Sequence, residues 1–303
     1  MTSGERVSRD ALSVQRPPHG GRWRVGDREI ALDRPVVMGI LNVTPDSFSD
    51  GGSFDDPARA LEQAERMIAE GADIIDVGGE STRPQGAKPV TADEEQGRVL
   101  PVIRAIAERF PQVAISIDTV KSETAAAALG AGASIVNDVS GFRLDPRMGA
   151  TCADARCGVV LMHSRGDVST MGTYQHATYE TVMPAVVKEL RGSVEAARAA
   201  GIGDEAIVVD PGLGFAKRSE HSLAMLAGIP ELLALGFPVL VGASRKRFVG
   251  ELSGVAVAAE RRHGTVGANV AALMLGARLF RVHDVAPSRQ ALDVAWAVMK
   301  AAR

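Results

Sequence analysis

Polar residues recur at the ends of short apolar runs along this chain, and their types specify a chemistry. Asn42, Asp76, Asp118, Asn137 with Asp138, His163, Asp210, Ser244 with Arg245 and Lys246, and Arg281 with His283 each stand at or just past a run rich in Val and Ile. Asp118, Asn137 and Asp210 offer carboxylate acceptors and an amide. Such a set suits a flat heterocycle with several N–H donors and a carbonyl, read along its edge. Arg281 and His283 share one face of an extended segment by period-two spacing and make an anion clamp. Lys246, in Gly242-Ala-Ser-Arg-Lys246, brings a further cation to the same rim. The plain alternatives are a structural salt bridge for Arg281 and helix capping for some of the carboxylates. His163 is read as structural.

Two segments read as ligand-covering loops. Asn42-Val-Thr-Pro-Asp-Ser-Phe-Ser-Asp-Gly-Gly52 is long, polar and rich in turn formers, and its Asn and Asp oxygens suit Mg²⁺ and phosphate. Gly78-Gly-Glu-Ser-Thr-Arg-Pro84, continued by Gln85-Gly-Ala-Lys88, presents hydroxyls and a cation. Neither is a Walker A loop. Cys152 and Cys157 lack a CxxC spacing and are too few for a metal site or a disulfide framework.

These side chains must be carried by something, and the apolar runs say what. Eight of them are spaced along the chain: Val36–Val43, Ala72–Gly78, Val113–Thr119, Ser134–Val139, Gly158–Ser164, Ala206–Gly212, Pro238–Ser244 and Leu279–Val285. Continuous apolarity at this length marks parallel strands buried on both faces. Helical segments lie between them. Asp56-Pro57 reads as N-cap and first helical residue, and Thr91-Ala-Asp-Glu94 as a capping box. Lys121–Leu129, Tyr179–Ala200, Leu223–Leu235, His263–Leu275 and Pro287–Ala302 supply other helices. Gly71-Ala, Gly132-Ala and Gly276-Ala repeat at helix-to-strand joins, where a left-handed stop is needed. The alternation predicts an α/β protein, a single (β/α)₈ TIM barrel, with a doubly wound open sheet as the runner-up. Residues 1–20 read as a flexible tail and residues 21–303 as the barrel domain. Within the latter, residues 21–34 form a β-hairpin, turning at Val25-Gly-Asp-Arg28 and capping the barrel floor.

Composition excludes whole classes of function. Apolar residues make up 46% of the 303, and 34 Lys+Arg stand against 37 Asp+Glu. That balance argues against nucleic-acid and membrane-surface partners. No apolar run reaches the roughly 20 residues of a membrane span, and Met1 to Gly21 lacks a signal-peptide core. The expectation is a reduced, cytoplasmic protein that meets any anion with local groups.

From Val36 onward the chain resembles the dihydropteroate synthases. The motifs that carry the likeness are LNVTPDSFSDGG (Leu41–Gly52), DVGGESTRP (Asp76–Pro84), SIDT (Ser116–Thr119), VNDVSG (Val136–Gly141), DPGLGFAK (Asp210–Lys217), GASRK (Gly242–Lys246) and RVHDV (Arg281–Val285). The resemblance implies a TIM barrel that condenses 6-hydroxymethyl-7,8-dihydropterin pyrophosphate with p-aminobenzoate, giving 7,8-dihydropteroate and pyrophosphate. It implies Mg²⁺ as cofactor, the two small molecules as partners, a homodimer, and a sulfonamide target. By that similarity Asp118, Asn137, Met162, Asp210 and Lys246 hold the pterin. Asn42 contacts Mg²⁺ and the β-phosphate, while Arg281 and His283 bind pyrophosphate. Phe48, Thr82, Arg83, Pro84, Phe215 and Ser244 form the p-aminobenzoate site. The catalytic set is Asp118, Asp210, Lys246, Arg281 and His283.

The chain departs from the family pattern at His163-Ser-Arg-Gly166 and in the polar loop to His176. Two rivals are weighed. A pterin-binding barrel that transfers a folate methyl group would share the Asp/Asn set but has no need of STRP or GASRK. A non-catalytic paralogue would have lost Arg83, Lys246 or the Arg281/His283 pair, and all are present.

Overall fold

The computed structural model describes residues 19–44, 56–80 and 90–302. A hairpin comes first, β1 (Arg22–Val25) paired antiparallel with β2 (Arg28–Ala31). Eight parallel strands follow: β3 (Val36–Asn42), β4 (Ile74–Gly78), β5 (Ala114–Asp118), β6 (Ile135–Asp138), β7 (Gly158–Met162), β8 (Ile207–Asp210), β9 (Leu240–Val241) and β10 (Leu279–Val282). Their hydrogen-bonded order is β8-β7-β6-β5-β4-β3-β10-β9. A bridge between Val209 and Val239 joins the two outer strands and brings the sheet nearly to closure. This is the barrel expected from the sequence, not the open sheet.

Helices alternate with the strands: α1 (Asp56–Ala69), α2 (Ala92–Arg109), α3 (Ser122–Gly130), α4 (Met148–Asp154), α5 (Val182–Ala199), α6 (Ser219–Ala227), α7 (Ile229–Leu233), α8 (Arg247–Ser253), α9 (Arg262–Met274) and α10 (Val285–Ala301). The capping box at α2 is formed: the Thr91 hydroxyl accepts from the Glu94 amide at 3.2 Å, and the Glu94 carboxylate accepts from the Thr91 amide at 2.9 Å. Gly71, Gly132 and Gly276 take φ of 97°, 118° and 111°, the left-handed stops their repeated position implied.

Some boundaries differ from the sequence reading. Helix α1 includes Asp56 as its first residue instead of using it as the N-cap. The segment Leu223–Leu235 breaks into α6 and α7 at Gly228, with Pro230 opening the second piece. Two short helices, α4 and α8, carry too few turns to show an apolar period, so the sequence did not announce them.

The core has two parts because strand side chains alternate. Val37, Ile75, Ile115, Val136, Val159, Ile207 and Phe280 face the helices. Met38, Ile74, Ala114, Ile135, Val160, Val208, Leu240 and Leu279 form a separate cluster with Trp23, Val25 and Leu32 of the hairpin segment. The hairpin therefore plugs the barrel floor. Trp23 is fully buried there and donates its indole N–H to the Ala206 carbonyl at 2.9 Å.

Candidate active site

The same alternation builds the site. Two residues beyond the floor cluster, on the same strand face, stand Ile40, Asp76, Ser116, Asn137, Met162, Asp210 and Arg281. Two further on stand Asn42, Gly78, Asp118, Ser244 and His283. An apolar floor thus gives way to a polar layer at the C-terminal strand ends, where enzymes of this architecture do chemistry.

Arg281 on β10 organises that layer. Its Nε donates to Asp76 Oδ2 at 2.6 Å and its Nη2 to Asp118 Oδ2 at 2.5 Å. Asn137 Nδ2 donates to the same Asp76 oxygen at 3.2 Å. The arginine expected to clamp pyrophosphate is held by two carboxylates. Asp76 is fully buried, and its Oδ1 and the neighbouring Ser116 Oγ have no hydrogen-bond partner among the described residues. Orphaned polar atoms at this depth signal a site designed to be filled.

Burial sets the protonation balance. It pushes Asp118 up to about 7 against the pull of Arg281. Asp210 rises to about 6 from the same cause, although the Gly212 amide donates to its Oδ1 at 2.6 Å. Lys246 is lowered to about 8 by burial, with Asp210 opposing. Burial works against the Arg281 charge as well, yet Asp76 and Asp118 hold its pKa above the ordinary arginine range. The result is a desolvated cluster of near-balanced charges, the environment in which pKa values are tuned for function.

Around this cluster the remaining predicted residues take defined places. Lys246 Nζ lies 4.0 Å from the centroid of the Phe215 ring, a cation–π contact. His283 donates its backbone N–H to Ser244 Oγ at 3.1 Å, and Ser244 Oγ lies 2.9 Å from His283 Nδ1. Met162 joins Val120, Val139 and Met171 in an apolar shelf, with Phe215 packed against it. Phe48, Thr82, Arg83 and Pro84 lie outside the described residues. Glu80 draws together the flanks of the second loop: its carboxylate accepts from the Val90 amide at 3.0 Å and from Lys121 Nζ at 2.7 Å.

The fit to Mg²⁺ can be tested on Asn42. A Cβ added to Gly78 would meet Asn42 Oδ1 and Asp118 Oδ2 at 3.8 Å each, so the glycine leaves a small cradle between two oxygens. No group of three His, Cys, Asp or Glu side chains gathers to hold a metal among the described residues. A neutral amide oxygen in that cradle fits a Mg²⁺ that keeps water and substrate phosphate as its main ligands.

Not every polar strand end belongs to the site. Asp138 points to the other face of β6, where it accepts from the amides of Ser140 at 2.7 Å and Phe142 at 3.0 Å and closes a loop. Arg245 is paired with Asp284 at 2.7 Å. His163 lies past β7, buried, and bonds Lys217 and Glu189. Conversely, Asp76 stands among the polar strand ends but carries no assigned site role in the sequence reading, and Lys217 stands there only within the DPGLGFAK motif. Period-two spacing from Gly78 would have placed Asp76 on the inner face. Lys217 had no such signal, because loop residues have no period.

The comparisons with known proteins agree with this geometry. Residues 38–283 match the pterin binding enzyme family. The chain is 44% identical to the dihydropteroate synthase of Synechocystis sp. over 88% of its own length and 91% of the relative's. It is 43% identical to the mitochondrial folate synthesis bifunctional protein of Pisum sativum, covering 88% of this chain but only 54% of that longer one. The structure of Xanthomonas albilineans dihydropteroate synthase with 4-aminobenzoic acid superposes with a TM-score of 0.86 at 44% identity, covering 92% of this chain and 98% of that one. Fold, inner-face residues and relatives converge: this chain belongs to the pterin binding enzyme family, among its dihydropteroate synthases.

Proposed function

We propose that the chain condenses 6-hydroxymethyl-7,8-dihydropterin pyrophosphate with p-aminobenzoate by a dissociative route. The observation that carries this reading is the buried constellation of Asp76, Asp118, Asn137 and Asp210 facing Arg281 and Lys246. It contains acceptors for a heterocycle edge and cations for a leaving anion.

Binding is an exchange of partners. The pterin edge takes Asp118, Asn137 and Asp210, while pyrophosphate takes Arg281 and His283, replacing the internal ion pair by two ligand contacts. Asn42 would hold Mg²⁺, which supplies positive charge to the pyrophosphate oxygens when bound. The C–O bond to pyrophosphate breaks and its electron pair leaves with the anion, where Arg281 takes up the developing charge. The methylene carbon left on the pterin is cationic, conjugated with the ring, and faced by Asp118 and Asp210. The aryl amine of p-aminobenzoate then forms the C–N bond and sheds its proton to water or pyrophosphate. An aryl amine is a weak base but needs no activation against so electrophilic a carbon.

The same reading includes a cytoplasmic homodimer that sulfonamides inhibit by competing for the p-aminobenzoate site. Helices α9 and α10 pack together and expose the apolar side chains of Met274, Val294 and Val298, which supports self-association through them. No described helix is long and apolar enough to cross a membrane. The decisive experiment supplies purified protein with Mg²⁺, the pterin pyrophosphate and p-aminobenzoate. Dihydropteroate and pyrophosphate should appear in equal amounts. No product with all components present would overturn the assignment.

A further inference from the structure

A second buried assembly adjoins the site and is not used by the chemistry above. Lys217, only 1% exposed, ends the loop that follows β8. Its Nζ lies 2.7 Å from His163 Nδ1 and donates to the Phe215 carbonyl at 3.1 Å. His163 Nε2 lies 3.0 Å from Glu189 on α5, which also receives Arg165 Nε at 3.1 Å. A lysine placed so deep carries a large desolvation cost, and an apolar side chain would fill the same space without it.

The loop it serves is conformationally expensive. Gly212, Gly214 and Ala216 all have positive φ, and Ala216 at 46° has no glycine's freedom. Its neighbours pin it: the Ala216 amide donates to the Met171 carbonyl at 2.7 Å, and the Tyr179 hydroxyl donates to the Ala216 carbonyl at 3.0 Å. The product of this bracing is the Phe215 ring, held where Lys246 Nζ stands 4.0 Å above it.

We propose that Lys217 is a positioning residue for the condensation, anchored through His163 to Glu189, and that it acts by fixing the Phe215 segment beneath Lys246. This rests on the reading of Phe215 and Lys246 as substrate-site residues. Burial lowers Lys217 to about 7 and His163 to about 4, in keeping with a neutral imidazole that accepts from the lysine and donates to the carboxylate. The chain of contacts runs from α5 through the β7 and β8 loops to the reacting region. It gives the divergent His163-Ser-Arg segment a task.

A double-mutant cycle tests this in the full-length protein. Lys217→Met keeps the length and removes the ammonium. It should lower kcat/KM for p-aminobenzoate by about tenfold to a hundredfold, the cost of a misplaced site wall. On a Phe215→Ala background the same change should cost less than about twofold, because contacts in series are not additive. If Lys217→Met does not fold, Glu189→Gln serves instead, with a smaller loss on the native background and the same absence of effect beside Phe215→Ala. Equal losses on both backgrounds would show that Lys217 acts independently of the Phe215 segment and would overturn the proposal. So would an unchanged kcat/KM in both single variants. A wild-type protein that made no dihydropteroate would instead overturn the underlying reading of function, so the two failures are distinguishable.

Discussion

At the scale of single residues, Arg281 carries the most consequence, because it holds two functions in one guanidinium. It neutralises Asp76, which is fully buried, and Asp118 beside it. Arg281→Ala should therefore act twice. It should lower kcat/KM for the pterin pyrophosphate by about 10²–10³-fold through the lost stabilisation of the leaving anion. It should also cost about 3–5 kcal/mol of stability by leaving buried carboxylates uncompensated. Arg281→Lys separates the effects: it keeps charge but loses the fork, so stability should recover more than activity. Steady-state kinetics and urea melts on both variants check this. Unchanged kinetics in either would contradict the role. The position of Arg281 was legible in the sequence, and its period-two relation to His283 was enough to put both on one face. Its partners were not, since Asp76 is 205 residues away along the chain and the contact exists only once β3 and β4 bring the strands round.

At the scale of elements, the loop after β8 illustrates where local reading stops. Its Pro-Gly-Leu-Gly content announces turns, and the structure shows why one glycine is obligatory. Gly212 has φ of 65°, and a Cβ there would lie 1.9 Å from the His163 carbonyl oxygen. Gly212→Ala should force the loop away from β7 and break the Gly212 hydrogen bond to Asp210. A loss of about tenfold or more in kcat/KM is expected, along with a lowered melting temperature, measured by calorimetry beside the kinetic assay. Strands and long helices were readable because each satisfies a period over several residues. The capping box at Thr91 and the glycine stops were readable because their chemistry is local. Helices α4 and α8, the break between α6 and α7, and the bracing of Ala216 by Met171 and Tyr179 have no local origin. They answer to packing against neighbours.

At the scale of the whole molecule, the barrel separates a stabilising floor from a costly rim. Trp23→Ala in the floor should cost about 3–5 kcal/mol and lower Tm by about 10 °C, with KM for both substrates unchanged. A large change in KM would mean that the floor and the site are coupled. The rim makes an opposite contribution, visible as pH dependence. Asp118 and Asp210 are raised from 3.8 to about 7 and about 6, so the native state binds more protons than the unfolded chain in that window. Stability should fall as pH climbs through it. Lys217 and Lys246 are lowered from 10.5 to about 7 and about 8, so there the unfolded chain binds more protons and stability should rise towards pH 10.5. Melting curves across pH should show Asp210→Asn flattening the acid limb and Lys217→Met the alkaline one. The sequence by itself determined the repeat of strand and helix, the floor hairpin and the polar strand ends, because each follows from periodicity or turn chemistry within a few residues; closure came only with the bridge between Val209 and Val239. Only the tertiary structure decided that Asp138 and Arg245 turn away from the site, that Arg281 rests on Asp76 and Asp118, and that Lys217 lies buried against His163. Those outcomes depend on which groups meet after the strands have closed and water has been excluded, and no local pattern encodes that.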